Sequence, residues 1–215
     1  MKLVEKHIIS KNHESYKEID KISFLSKNLY NKANYIIRQE FIRTSKETQH
    51  GKRKHATWIR YHDLQKQLQK ENDSDYIALP RKISQQVLMQ LDRNWKSFFK
   101  AIKEWKKYPK KFTGRPCLPK YKHKTAGRNM LVYTIQAIHK PELEEYILHP
   151  SGTNIKIKVL HNKIKQARII PLPNKKYKVE IVYEKEISVR STDKSRIASI
   201  DIGLNNLAAV TSNQK

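Results

Sequence analysis

The first residue in this chain equipped for chemistry is a carboxylate at the end of an apolar run. In Ile197-Ala198-Ser199-Ile200-Asp201-Ile202-Gly203 the acid sits among aliphatic residues, and a glycine follows two positions later. A second apolar run, Leu207 to Val210, begins after Asn205 and Asn206. The pattern predicts a strand, a turn and a second strand, with Asp201 a buried carboxylate at the strand end. A carboxylate there either ligates a metal ion or serves as a turn residue. Gly203 supplies the turn conformation or lets a substrate backbone approach closely. Two-metal phosphodiester cleavage needs several carboxylates around ions about 3.5–4 Å apart. One Asp supplies one or two of those oxygens, never the whole site.

A second group of residues is built for polyanions. From Lys106 to Arg128 the chain carries nine Lys or Arg, three prolines, two glycines and no acid. Lys110, Lys111, Arg115, Lys120, Lys122, Lys124 and Arg128 are interleaved with Tyr108, Phe112 and Tyr121. Cations spaced by aromatic rings suit single-stranded nucleic acid, since the cations follow phosphates and the rings stack on bases. The prolines favour an extended loop. A third candidate lies upstream, where Lys82 and Gln86 share one helix face beside Arg81 and Gln85. An amide can pair with the edge of adenine, and a lysine can contact guanine or phosphate. None of the nine histidines stands at a metal-ligand spacing, which predicts surface or phosphate-contacting roles for them.

Composition bounds these readings. The chain has 215 residues and a formal net charge of +25, from 45 Lys plus Arg against 20 Asp plus Glu. Such a field attracts nucleic acid over long range. No apolar run approaches the roughly 18 residues that span a bilayer, and the N-terminus lacks the apolar core of a signal peptide. A single cysteine, Cys117, rules out an internal disulfide or a Cys-rich zinc site within these residues.

The elements that must hold these groups are legible in part. Residues 1–10 are strand-like. Ser15-Tyr16-Lys17-Glu18 has the spacing of a capping box, and Ile19, Ile22, Leu25, Leu29, Ala33, Ile36 and Phe41 give one apolar helical stripe to about Arg43. Residues 44–56 read as a polar loop, and Trp58, Tyr61, Leu64 and Leu68 as a shorter helix. After Pro80, Ile83, Val87, Leu91, Trp95, Phe98, Ile102 and Trp105 recur at three- and four-residue steps, a long helix. Strands are expected over Asn129–Ile135, Asn154–Leu160, Ala167–Leu172 and Tyr177–Glu186, the last two a hairpin through Pro173-Asn174-Lys175.

The string IDIGLNNLAAV resembles the first RuvC motif of the TnpB (OrfB) proteins of bacterial insertion sequences, relatives of the compact type V CRISPR effectors. The upstream string LPRKISQQVLMQLDRNWKSFFKAIKEWKK, followed by a proline-punctuated basic loop, is similar to the same family and stands in the same order. The resemblance implies an α+β architecture: a first barrel strand (1–14), a helical recognition lobe of about three helices (15–105), and a basic loop (106–128). The rest of a small wedge-like antiparallel β-barrel (129–190) and the first strand or hairpin of an RNase H-like RuvC domain (191–215) then follow. It implies an RNA-guided DNA endonuclease of the bacterial cytoplasm and nucleoid. Its partners would be a guide RNA and a double-stranded target bearing a short flanking motif, which Lys82 and Gln86 would border. Asp201 would be a catalytic Mg²⁺ ligand. In the family the remaining carboxylates and a four-Cys zinc element lie further C-terminal. This chain stops fourteen residues after Asp201, so the expectation is an incomplete metal site and no cleavage by these residues alone. The alternatives are a stand-alone nuclease-deficient RNA- or DNA-binding module and an unrelated basic RNA-binding protein.

Overall fold

A computed structural model describes residues 1–186, 195–203 and 207–213. They form two compact units, one of Lys2–Glu184 and the other of Met1 with the described residues from Lys185 onward. The larger unit is α+β. It begins with strand β1 (Lys2–Ile9), then helices α1 (Tyr16–Gln49), α2 (Tyr61–Lys70), α3 (Ser74–Ile77) and α4 (Arg81–Lys107). After a long loop come β2 (Leu131–Thr134), α5 (Lys140–Glu144), β3 (Ile147–Leu148), β4 (Ile157–Lys158), β5 (Ile164–Leu172) and β6 (Lys176–Glu184).

Four strands make one antiparallel sheet in the order β1-β6-β5-β2, and β3 pairs with β4 in a second, two-stranded sheet. Strand alternation sets the buried face: Tyr177, Val179 and Ile181 on β6 are buried, as are Ala167 and Ile169 on β5. A bulge between Ile164 and Gln166 shifts the phase by one residue, so that Ile164 also turns inward. The larger sheet is open. Its edge strands β1 and β2 do not pair, so no closed barrel exists among the described residues. The small sheet takes up only Ile157 and Lys158 of the strand expected over residues 154–160.

Helical periodicity locates the long helices well. Ile83, Val87, Leu91 and Trp95 of α4 are buried against Leu29, Ala33 and Ile37 of α1 in one apolar core. The core also takes in Leu64 and Leu68 of α2. Two short helices escaped the sequence reading because four or five residues carry no period. For α3 the start signal is chemical: the Asp73 carboxylate accepts the amides of Asp75 and Tyr76, each at 3.0 Å.

Two expectations at α1 fail. The helix runs on to Gln49, because Thr44 turns its hydroxyl inward to the Glu40 and Thr57 carbonyls and anchors the last turns. The capping box does not form. Ser15 instead exchanges hydrogen bonds with Lys156: its hydroxyl donates to the Lys156 carbonyl at 3.0 Å and accepts the Lys156 amide at 3.1 Å. Trp95 is fully buried, and its indole N–H donates to Asn34 Oδ1 at 3.0 Å. Trp95→Ala is expected to lower the unfolding free energy by about 3–5 kcal/mol in a urea titration, the usual cost of emptying an aromatic core site.

Candidate nucleic-acid interface

Between α4 and β2 the chain makes one 3₁₀ turn over Pro109–Lys111 and then runs without regular structure to Asn129, apart from a turn at residues 124–126. A segment with this many cations should not stay close to a folded surface on its own. It is held by α1. A polar stripe on that helix, at positions 20, 23, 27, 31, 34 and 38, recurs every three or four residues and faces the loop. Asn31 makes a two-way backbone-like pair, donating to the Lys122 carbonyl and accepting its amide, both at 2.8 Å. Asn34 and Arg38 both donate to the Pro119 carbonyl, and the Ser23 carbonyl accepts the Asn129 amide at 3.0 Å. The loop therefore descends α1 antiparallel, with backbone groups of Pro119, Lys122, Lys124 and Asn129 bonded to the helix.

Lys27 is the most unusual member of the stripe. Its side chain is buried, with the ammonium on the Lys124 carbonyl at 2.6 Å and 3.8 Å from the centre of the Phe24 ring. Burial first, and then the nearby Arg128 charge, pull its pKa below the usual lysine value. The loop ends on a bidentate ion pair between Arg128 and Asp20, at 2.9 and 2.8 Å. Asp20 also accepts the Tyr177 hydroxyl at 2.6 Å, which ties loop, helix and sheet together. Gly127 closes the turn: an added Cβ would sit 2.4 Å from the His123 carbonyl oxygen. His123 Nδ1 accepts the Ala126 amide at 3.1 Å within the same turn.

The loop side chains divide into two sets. Arg128 and Lys122 belong largely to the structure: Arg128 is paired, and Lys122 is half-buried over the Tyr30 ring, with burial lowering its pKa. Lys110, Lys111, Arg115, Lys120, Tyr121 and Lys124 are exposed. Lys111 lies 4.2 Å from the centre of the Tyr108 ring and Arg115 5.8 Å from that of Trp105. Tyr121 carries the Arg38 guanidinium over its face at 4.6 Å. Phe112 is half-buried.

Beside the loop opens a groove of about 930 Å³. Its floor is apolar (Phe41, Phe98, Phe99, Ile102 and Leu118) and its rim is cationic (Arg38, Lys54, Lys106, Arg115 and Lys120). A second hollow of about 730 Å³, between the 125–128 turn and the β5–β6 turn, carries Lys11, Lys175 and Lys176. The sequence reading missed Arg38, Lys54 and the α1 amides. The signal was present, in the three- and four-residue recurrence of polar groups on a helix whose apolar stripe alone had drawn notice. Lys82 is exposed and Gln86 half-buried in the first two turns of α4. Among the described residues neither forms a hydrogen bond to the loop, so the two lie outside its hydrogen-bonded framework.

Asp201 ends strand β7 (Ala198–Asp201), which pairs with β8 (Ala209–Ser212), Asp201 standing opposite Ala209. The expected hairpin forms. The expected burial does not: all eight strand residues are exposed, because a two-stranded sheet covers neither of its own faces. Leu204, Asn205 and Asn206 of the motif lie outside the described residues, as do residues 187–194. Among the described residues no other His, Cys, Asp or Glu gathers with Asp201 into a metal-binding group. These residues by themselves therefore do not fit a two-ion Mg²⁺ site. One His/Glu group does form elsewhere, from His139, Glu142 and His149, although no histidine stands at a metal-ligand spacing in the sequence.

Comparison with protein-family models and with curated proteins gives no match. No helix among the described residues is long and apolar enough to cross a membrane.

Two tests follow from this geometry. Lys120→Ala and Lys124→Ala should each weaken nucleic-acid binding and flatten the log–log salt dependence by about 0.7 for single strands or 0.9 for duplex. Lys122→Met should change the slope far less, as read by fluorescence anisotropy across salt. The Asp20 carboxyl is held below its usual value chiefly by Arg128, with burial opposing and Tyr177 assisting. A depressed folded pKa means stabilisation that is complete above about pH 4 and lost as pH falls through the folded value. Asp20→Asn should therefore lose stability at pH 7 and show a shallower decline below pH 4 in urea midpoints.

Proposed function

We propose that this chain is an RNA- and DNA-binding portion of a TnpB-like, transposon-associated RNA-guided endonuclease. In this reading α1, α4 and the loop hold a guide RNA and its heteroduplex with target DNA. Base pairing reads the sequence, and the protein reads only a short flanking duplex. The observation that carries the reading is the acid-free loop, held backbone-inward on α1 so that Lys120, Tyr121 and Lys124 face outward, with Lys120 on the rim of an aromatic groove. That surface has the cation-and-ring chemistry of single-strand recognition. Lys82 and Gln86 are assigned to the flanking duplex, where an amide and an ammonium can meet base edges. Asp201 is assigned as one Mg²⁺ ligand of a complete RuvC-type site in the bacterial cytoplasm. The exposure of Asp201 and its lack of neighbouring ligands among the described residues favour binding without cleavage for these residues alone, as in a nuclease-deficient module.

A paired assay with Mg²⁺ tests this. One arm measures affinity for structured RNA and for duplex DNA across salt, and the other looks for guided DNA cleavage. The expected result is tight, salt-dependent RNA binding without cleavage, and Asp201→Ala should leave that binding unchanged. Loss of RNA binding in a folded Asp201→Ala chain would contradict the assignment of Asp201 to metal chemistry. Equal, weak affinity for RNA and for a polyanion such as heparin would contradict a guide-binding role.

A further inference from the structure

The His139, Glu142 and His149 group lies in the segment after β2, and its two halves are fixed to one another by the backbone. The His139 amide donates to the His149 carbonyl at 2.9 Å, and the Ser151 amide donates to the Ala137 carbonyl at 2.9 Å. Ile138 and Pro150 form a β-bridge between these bonds. His139 precedes α5, and Glu142 lies in its first turn, three residues on. The side-chain donor atoms of the three residues lie within 4.8 Å of one another, and the two imidazole rings are 5.7 Å apart.

The hydrogen bonds around the group select a tautomer. His149 Nε2 lies 2.7 Å from the Thr153 carbonyl oxygen. A carbonyl only accepts, so Nε2 carries a proton, and in the neutral ring Nδ1 presents a lone pair. That nitrogen faces Glu142 Oε2, and both atoms are buried. Two facing lone pairs repel, so either a proton or a metal ion lies between them. Lys156 does not fill that place, because its ammonium sits on the other carboxylate oxygen, Oε1, at 2.8 Å. His139 Nδ1 stands 4.0 Å from the same Oε2, on the edge of the same space.

We propose that His139, Glu142 and His149 bind a divalent transition-metal ion of the zinc class, with a coordination position left for water. Two imidazoles and one carboxylate are a donor set that zinc, cobalt and nickel favour. Magnesium prefers oxygen ligands alone. The Thr153 carbonyl is the outer-shell partner that such a histidine needs to hold its ring and tautomer. Lys156 orients the carboxylate and leaves Oε2 to the ion. The Lys156 backbone is bonded to Ser15 just before α1, so an ion here would fasten this segment next to the helix that carries the basic loop. This assignment is independent of the nucleic-acid reading.

The rival for the position between His149 and Glu142 is a proton, which would make His149 an imidazolium. The test is a titration of the chelator-treated chain with Co²⁺, followed by its visible absorption, and with Zn²⁺ by calorimetry, both repeated in excess Mg²⁺. The expected result is one equivalent bound, with Mg²⁺ not competing. His149→Ala and Glu142→Gln should weaken binding by more than about tenfold, a loss that even an outer-shell partner can cause. His139→Ala is the decisive variant, because His139 is exposed and its side chain is not needed for the backbone bonds. It should remain folded by circular dichroism and still lose Co²⁺ affinity. Absence of stoichiometric binding, with ¹⁵N shifts showing a His149 imidazolium, would overturn the proposal. So would binding that survives both histidine substitutions.

Discussion

The structure turns on how an extended cationic loop is kept against a helix without any acid of its own. The Asn31 amide does this at one point by serving both backbone groups of Lys122, and Asn34, Arg38 and Lys27 take carbonyls on either side. A backbone segment buried without partners is costly, and here the part of α1 from Ser23 to Arg38 supplies partners at successive turns. Because the backbone faces the helix, Lys120, Tyr121 and Lys124 are left to solvent. The arrangement separates two roles that a flexible basic tail would mix: amides and carbonyls hold the loop, and side-chain charges remain available to phosphate.

The same logic explains the buried cation. Lys27 replaces water with a carbonyl, an amide oxygen and an aromatic face, and it joins the turn that Gly127 alone allows to close. At the loop's end, the Asp20 pair with Arg128 and the Tyr177 hydroxyl connects the loop to the central strand β6. On the proposed reading, a surface already held in this shape would give up little ordering entropy when a nucleic acid arrives. The aromatic groove beside it is a by-product of α4 outrunning its core. Ile83, Val87, Leu91 and Trp95 are buried, whereas Phe98, Phe99 and Ile102 further along the same stripe are only partly buried and floor the groove.

How far the residues announced this depends on the range of the interactions. The stripe of α4 was legible because it repeats over many turns, and so was the β5–β6 hairpin, whose turn residues sit between alternating strands. The basic loop was visible from composition alone. Its division into exposed and structural cations was not, since Arg128 and Lys122 owe their roles to Asp20 and Tyr30, about 90 to 110 residues away. Ser15 shows the same limit: a local capping signal lost to a partner 141 residues distant. The His139, Glu142 and His149 group was hidden because a β-bridge, and not a sequence spacing, brings its halves together. Asp201 is the reverse case, a local pattern that forms its hairpin but has no surrounding layer among the described residues to bury it.

The central claim is that α1 presents the loop, and a pair of charge-neutral substitutions tests it directly. In Asn31→Ala/Asn34→Ala the helix loses both bonds to Lys122 and the Asn34 donor to Pro119, with Arg38 left as the other donor there, while every lysine and arginine remains. RNA affinity and its salt slope are measured beside the unaltered chain, with folding checked by circular dichroism. The account predicts a clear fall in affinity with the slope nearly unchanged, since the phosphate contacts survive but must now be ordered on binding. Unchanged affinity in the folded double variant would show that charge alone binds the RNA, and that the helix-held loop is not the binding surface.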